Sequence, residues 1–438
     1  MGAAGRPGPA GTVALRWAMH SPARVRPAVR VAAAAAVLAA LASCGHARSA
    51  ATSFPGRGTP HRNVQAHGFG VPADADAVFN WVSVNGLNGV AAVSAHSVWA
   101  VGSAATGKPL IEHWDGRAWR QVPSASPRGA TESLLNAVAA TGSSTAWAAG
   151  YYNTGKTIKT LIERWNGRGW AQVASPSPGG VHGSLLLGVA AAGSSTAWAV
   201  GYFSTGKTIK TLIERWNGRG WAQVTSPSPG GSDARLDGVA AAGKSSAWAV
   251  GSYFGPSMRP LIERWNGRAW KVVTSPNPGG CCNALNAVTT VGESGAWAAG
   301  STGKKFDEAL IERWNGRAWK QVTSPRPAGS RGSNLTAIAA RSPADAWAAG
   351  YYFADTHVDP AVFTLIERWN GRAWKQEPSP NPGGSAVHLP DQSLLQAVCA
   401  VSSSQAWAAG SYSSGNPHGK ILIERRTGGT WSQVPAGR

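Results

Sequence analysis

The chain predicts an all-β protein: a seven-bladed β-propeller of four-stranded antiparallel blades, preceded by a signal segment and a flexible tether. Three observations carry this expectation. Among 438 residues there are 55 Gly, 28 Pro and 22 Trp, while only 14% are charged, a balance that suits many turns and short strands. From residue 87 onward one unit is written seven times. Each unit holds four short runs of strand character separated by turn signals.

Residues 1–43 stand apart. They carry Arg6, Arg16, Arg24, Arg26 and Arg30 and no acid, and end in an apolar, alanine-rich run from Val31 to Ser43. A basic lead followed by an apolar run too short to span a bilayer is a secretory signal. Its end, Leu41-Ala42-Ser43-Cys44, resembles the lipobox of bacterial lipoproteins. That resemblance implies that Cys44 becomes the lipidated N-terminus and that the protein sits on the outer face of the cytoplasmic membrane. The other reading is plain cleavage near residues 47–50, with Cys44 discarded. Met19 offers a second translation start. Residues 44–77 are rich in Gly, Pro, Ser, Ala and His without apolar period and read as a flexible tether. The propeller is assigned to 78–438.

The repeat has three phrases. "LIERWNGRAW", or a close variant, begins at residues 110, 161, 212, 261, 310 and 365, and a degraded copy begins at 422. Trp-Ala-x-Gly begins at Trp99, Trp147, Trp198, Trp248, Trp297, Trp347 and Trp407. A Leu-x-x-Val or Leu-x-x-Ile phrase begins at Leu87, Leu135, Leu186, Leu236, Leu285, Leu335 and Leu395, and these mark the blade starts. The first strand of a unit is "LNAVAA", the second "AWAAG", the third "LIERW" and the fourth "RAWKQV". Asn-Gly between the last two tolerates positive φ and predicts a two-residue type I′ turn. That register sets Trp165 opposite Arg168 and Glu163 opposite Trp170. It puts Leu161, Glu163, Trp165, Arg168 and Trp170 on one face, and Ile162, Arg164, Gly169, Ala171 and Val173 on the other. Apolar residues on both faces require cover on both sides. Small residues in the first strand suit a crowded centre and tryptophans a wider rim, which is the propeller arrangement. A "SPSPGG" segment then ends pairing, because proline cannot donate to a ladder.

The repeat also disposes of one motif. "GYYNTGKT" at 150–157 fits the phosphate-loop pattern, Gly150, Gly155, Lys156 and Thr157. It runs from one strand into the next, recurs as "GYFSTGKT" at 201–208, and lacks the strand–loop–helix context that a phosphate loop needs. No nucleotide is expected.

With these phrases in view, the chain resembles kelch and galactose-oxidase-like propellers, with a glycine-ended second strand and a tryptophan in the fourth. "LNGVAAVSAHSVWAVG" and "LIERWNGRAWKQV" look closest to repeats of secreted actinobacterial propellers of unknown function. The resemblance covers roughly residues 85–435 and implies fold. A single Gly stands where kelch units have two, and nothing matches copper ligands, so no family activity follows.

Candidate chemistry is sparse. Twenty of the 22 tryptophans are repeat positions, so Trp147, Trp165 and Trp170 read as packing residues. Glu163 and its counterparts read as diagonal ion pairs with Arg168 and its counterparts, and Arg168 also as a stacking partner for tryptophan. The ten histidines show no metal-ligand spacing, and the four cysteines no C-x-x-C pair, so neither metal nor cofactor is expected. Cys281 and Cys282 are read either as a vicinal bridge or as free thiols. Acids such as Glu132, Asp233, Asp307, Asp355, Asp359 and Asp391 fall mostly in loops. The loops after the second and fourth strands vary most, and they emerge on one face. Every tyrosine lies there, and Tyr152, Phe203, Tyr253, Tyr352 and Tyr412 are the candidate binding residues. The same rings could instead simply close the strand ends. A net charge of +20 favours diffuse attraction to anionic wall polymers or headgroups; nucleic acid needs a directed stripe, which the even repeat of arginines does not suggest. The expected function is a cell-envelope binding protein for a polysaccharide or surface protein. The alternative is a glycan hydrolase or lyase, which needs converging carboxylates.

Overall fold

The computed structural model describes residues 85–231, 233–303, 308–354, 361–383, 392–414 and 419–437. The signal segment, the tether, Cys44 and residues 78–84 lie outside these, as do Asp307, Asp355, Asp359 and Asp391.

Each repeat contributes four strands. Repeat one supplies β1 (Gly86–Ser94), β2 (Ser97–Ser103), β3 (Pro109–Trp114) and β4 (Trp119–Gln121). Repeat two supplies β5 (Glu132–Gly142), β6 (Thr145–Asn153), β7 (Ile158–Trp165) and β8 (Trp170–Val173). Repeat three gives β9 (Ser184–Ala191), β10 (Ala197–Ser204), β11 (Ile209–Trp216) and β12 (Trp221–Val224). Repeat four gives β13 (Ala234–Ala241), β14 (Ala247–Phe254), β15 (Met258–Trp265) and β16 (Trp270–Val272). Repeat five gives β17 (Ala284–Val291), β18 (Gly295–Thr302), β19 (Glu308–Trp314) and β20 (Trp319–Val322). Repeat six gives β21 (Ser330–Ser342), β22 (Asp345–Ala354), β23 (Ala361–Trp369) and β24 (Trp374–Glu377), and repeat seven β25 (Gln392–Ala400), β26 (Ala406–Ser413), β27 (Lys420–Thr427) and β28 (Thr430–Gln433).

The first five repeats form five separate four-stranded antiparallel blades, each paired in sequence order. The last two repeats do not add two more: β21–β28 form one eight-stranded sheet. The expected seven blades are corrected accordingly. The join is a parallel pairing of Val362 in β23 with Gln392 in β25. The β22–β23 ladder runs on to Ala354 and Ala361, past the stretch that β24 covers, as the matching ladders of repeats two to four also do; among the described residues only in repeat six does the extended edge pair with the next repeat's first strand.

Neighbouring repeats pack through tryptophan. Trp147 of β6 meets Trp216 at 4.9 Å and Trp221 edge-on at 5.1 Å, both from repeat three. The same trio recurs with Trp99, Trp198, Trp248 and Trp297 as its centre. Trp407 closes the circle on Trp114 and Trp119 of repeat one at 5.0 and 5.2 Å. The chain is therefore a β-propeller of tryptophan-rich blades. Every central tryptophan is at most 2% exposed, and burying so large a side chain stabilises by about 2–3 kcal/mol.

Three local expectations change. The Asn-Gly hairpins are four-residue turns: Trp165 pairs with Trp170 and Glu163 with Gln172. Asn166 Oδ1 accepts from the amides of Arg168 (2.9 Å) and Gly169 (3.0 Å), which widens the turn beyond type I′. The degraded last hairpin is the one that closes tightly, with Thr427 opposite Thr430 and Gly428 and Gly429 both at positive φ. Glu163 does not pair with Arg168. It is fully buried and accepts from Ser124 Oγ (2.6 Å) and the Ala125 amide (3.1 Å) of the preceding repeat's tail. Nor does Arg168, exposed in its turn, stack on tryptophan. Arg164 does so, lying 5.2 Å from the Trp147 ring and 5.5 Å from that of Trp216.

The glutamate bridge recurs as Ser175–Glu214, Ser226–Glu263, Ser275–Glu312 and Ser324–Glu367. At the seam, the Gly437 amide donates to Glu112 Oε2 at 2.6 Å, so the C-terminal tail takes the serine's place.

Candidate binding site

The second strand of each repeat carries a glycine where it faces the bulge of the first strand. In repeat two the bulge falls between Leu135 and Ala137, and a Cβ on Gly150 would stand 2.0 Å from the Leu134 carbonyl oxygen. Beyond that glycine, β6 runs on into the variable loop face. Tyr152 pairs with Lys159 of β7. The connecting turn is held by the Gly155 amide on Asn153 Oδ1 (2.8 Å) and the Thr154 amide on the Thr157 carbonyl (3.0 Å). The stretch that mimics a phosphate loop is thus a strand–turn–strand hairpin.

A pocket of about 630 Å³ opens here, lined in part by Tyr152, Lys159, Thr160, Gln172, Ser175 and Val181. Its floor is made by residues 174–180, which the prolines at 176 and 178 keep out of the ladder and which fold back over β7. The Thr160 amide donates to Ser177 Oγ (3.1 Å), Thr160 Oγ1 to the Pro176 carbonyl (2.8 Å), and Thr157 Oγ1 to the Gly180 carbonyl (2.6 Å). Ser175 Oγ donates to Glu214 Oε2 at 2.7 Å, so the floor is tied to the bridge with repeat three. Lys159 and Gln172 are exposed on the walls and Tyr152 is half-buried. Val181 is 77% exposed at the rim. The walls therefore offer an aromatic edge, an amide and one cation, of a size that suits a small ligand. Repeat three rebuilds the floor with Thr211, Ser226 and Ser228 but has Phe203 where repeat two has Tyr152.

The other candidate aromatics are not brought together. Phe203, Tyr253, Tyr352 and Tyr412 each pack against a different inter-repeat core, as Tyr152 itself does against a fifth. Tyr352 also meets Phe363 at 5.5 Å, and Lys420 lies over Tyr412 at 5.7 Å. Only Tyr152 reaches the pocket.

A second group went unread in the sequence. Arg235 Nε lies 3.3 Å from Asp237 Oδ2 on the innermost strand of repeat four. In repeats one, two, five and six the position of Asp237 is a donor that ties one repeat to the next: Asn88 to the Leu135 carbonyl, Asn136 to Leu186, Asn286 to Leu335 and Thr336 to Leu395. Burial raises the Asp237 carboxyl above its ordinary range and the Arg235 guanidinium works against it. Tyr202, close by, is also raised by burial. "RLDG" at 235–238, the charged version of "LLNA", was the available signal.

Cys281 and Cys399 carry free thiols. Cys281 Sγ stands 3.0 Å from Cys282 Sγ, beyond the ~2.05 Å of an S–S bond, so the vicinal bridge is not formed. Among the described residues no group of His, Cys, Asp or Glu could hold a metal ion.

Solved structures share the architecture. A GH74 xyloglucanase from Xanthomonas campestris is 13% identical, aligned over 81% of this chain and 55% of that one, with a TM-score of 0.51. YCF48 bound to a D1 peptide is 16% identical over 79% of this chain and 94% of that one, TM-score 0.47. The fucose-specific lectin from Aleuria aurantia is 14% identical over 67% and 95%, TM-score 0.40. The chain thus spans about half the length of the xyloglucanase, and at these identities the likeness is one of fold. No protein-family model matches the chain, and no curated protein matches it.

Proposed function

We propose that this propeller is an extracellular binding module whose loop face takes an acidic oligosaccharide in the pocket of repeat two. The observation that carries the reading is the wall chemistry at that pocket. Tyr152 supplies a ring to lie against a sugar face, Gln172 an amide for hydroxyl groups, and Lys159 a cation for a carboxylate or phosphate. Aromatic and amide groups beside one charge are the usual furniture of such a site. A hydrolase or lyase reading calls for converging carboxylates. The carboxylates tied to the pocket lining, Glu214 through Ser175 and Glu163 opposite Gln172, are fully buried between repeats and engaged by Ser175 and Ser124. The test is titration calorimetry of the secreted domain with oligogalacturonates and oligoglucuronates, alongside Tyr152→Ala and Lys159→Ala. Saturable binding that both substitutions weaken supports the reading; binding indifferent to both overturns it.

In the same reading the chain is one of the secreted, kelch-like actinobacterial propellers that its repeat phrases resemble, held at the outer face of the cytoplasmic membrane by lipid on Cys44. The support is "LASC" after a short apolar run. A fatty-acid analogue should label wild-type cells and leave Cys44→Ala unlabelled. Equal labelling of both removes the anchor from the account.

A further inference from the structure

The hairpins that join third to fourth strands emerge opposite the loop face, beside the turns joining first to second strands: Trp165 Nε1 donates to the Ser143 carbonyl at 3.0 Å. Their charge is not evenly spread. Repeats four, five and six present an exposed arginine in the turn and an exposed lysine just after the tryptophan: Arg268 and Lys271, Arg317 and Lys320, Arg372 and Lys375. Repeats two and three keep the arginine but have Ala171 and Ala222 in place of the lysine, and repeat seven has Ser432. In repeat one Arg120 is held by Asp115 at 3.0 Å.

We propose that the hairpin ends of repeats four to six form a basic arc that docks a linear, flexible polyanion of the phosphodiester type without bases. The three hairpins are neighbours, linked underneath by the contacts of Trp248 with Trp319 and of Trp297 with Trp374. Their turns are fixed, since Asn266, Asn315 and Asn370 each accept two backbone amides from the turn residues. The cations are therefore set out in advance on a rigid rim. None of the six has an ion-pair partner among the described residues. The carboxylates of neighbouring elements are otherwise committed: Asp345 to Arg341 and Arg368, and Glu377 to Arg426. Glu312 and Glu367 are buried, which leaves exposed Glu293 at the inner edge of the arc.

The same surface selects among polyanions. Trp270, Trp319 and Trp374 are 3–4% exposed, so the arc offers no ring on which bases could stack. Val272, 48% exposed, is the one large apolar side chain exposed on it among the described residues, too little to enter a bilayer interface. What remains is a row of point charges along a curve, which a flexible chain of phosphates can follow while releasing its counterions.

The test uses long-chain inorganic polyphosphate as the probe and the secreted domain as the protein. The triple variant Lys271→Ala/Lys320→Ala/Lys375→Ala gives repeats four to six the residue that repeats two and three already carry, so it should fold. Lys156→Ala/Lys207→Ala/Arg219→Ala removes the same charge from exposed positions outside the arc. The arc variant should bind polyphosphate at least about tenfold more weakly at low salt, with a shallower salt dependence between about 50 and 200 mM, while the control loses less than about threefold. Equal losses in the two variants, or none in the arc variant, overturn the proposal. So does arc-dependent binding to phosphatidylglycerol vesicles without polyphosphate binding, or tighter binding of single-stranded DNA than of polyphosphate at equal phosphate.

Discussion

Arg426 Nε lies 2.9 Å from Glu377 Oε2, and a second contact joins Arg426 Nη2 to Glu377 Oε1 at 3.2 Å. Both residues depart from the repeat: Arg426 stands where other repeats have tryptophan, and Glu377 where most have valine. Arg426 takes over the tryptophan's place beside Trp347, 4.9 Å from its ring, and Trp431 Nε1 adds a bond to the same carboxylate. The two departures thus compensate each other across the junction of the last two repeats.

Glu377→Val alone should therefore destabilise the domain by about 3 kcal/mol, because it strands a buried guanidinium. The double variant Glu377→Val/Arg426→Trp, which restores the common repeat, should regain most of that loss. Chemical denaturation of the two single variants and the double variant checks it; additive losses would show that the residues act independently.

Gly251→Ala should cost about 2 kcal/mol or more, since the new Cβ would fall 2.1 Å from the Arg235 carbonyl oxygen in the adjacent strand and the backbone would have to part. Gly220→Ala is the control, with open space around it. Thermal midpoints that move together for both variants would remove the close-approach argument.

The repeat made the strand order, the two-sided cover and the tryptophan packing legible, because all three follow from local periodicity. The turn size was not legible, because Asn166 widens its turn through side-chain bonds that a dipeptide rule omits. Glu163 was assigned a partner within its own hairpin, whereas its real partner, Ser124, lies 39 residues earlier and meets it only once two repeats stack. The merging of the last two sheets was not legible, because it rests on one parallel pairing, Val362 with Gln392, that no repeat position marks. Of the pocket, Tyr152 alone was foreseen, since Lys159, Gln172 and the serines converge only when the proline segment folds back.

Burial raises the inter-repeat glutamates. Glu214, Glu263, Glu312, Glu367 and Glu424 move from 4.5 to about 8, with serine hydroxyls opposing the shift in all but the last. Between those values the folded protein keeps protons that the unfolded chain has released. Stability must then fall as pH rises through that window, the reverse of a salt-bridged carboxylate. Melting should be highest near pH 5 and drop steadily toward pH 8, and Glu263→Gln should flatten the slope. A midpoint that climbs from pH 5 to pH 8 would mean that these carboxylates are ionised in the fold.

The central claim is that the pocket of repeat two, rather than the aromatic set as a whole, binds ligand. The most direct measurement is the affinity of an oligogalacturonate for the propeller domain carrying Tyr152→Ala, set against Phe203→Ala, the same substitution at the matching position one repeat on. The account predicts a loss of about tenfold with Tyr152→Ala, at the upper end of the ~0.5–1.5 kcal/mol that an aromatic contact contributes, and little change with Phe203→Ala. Equal loss at both positions, or none at Tyr152, would contradict it.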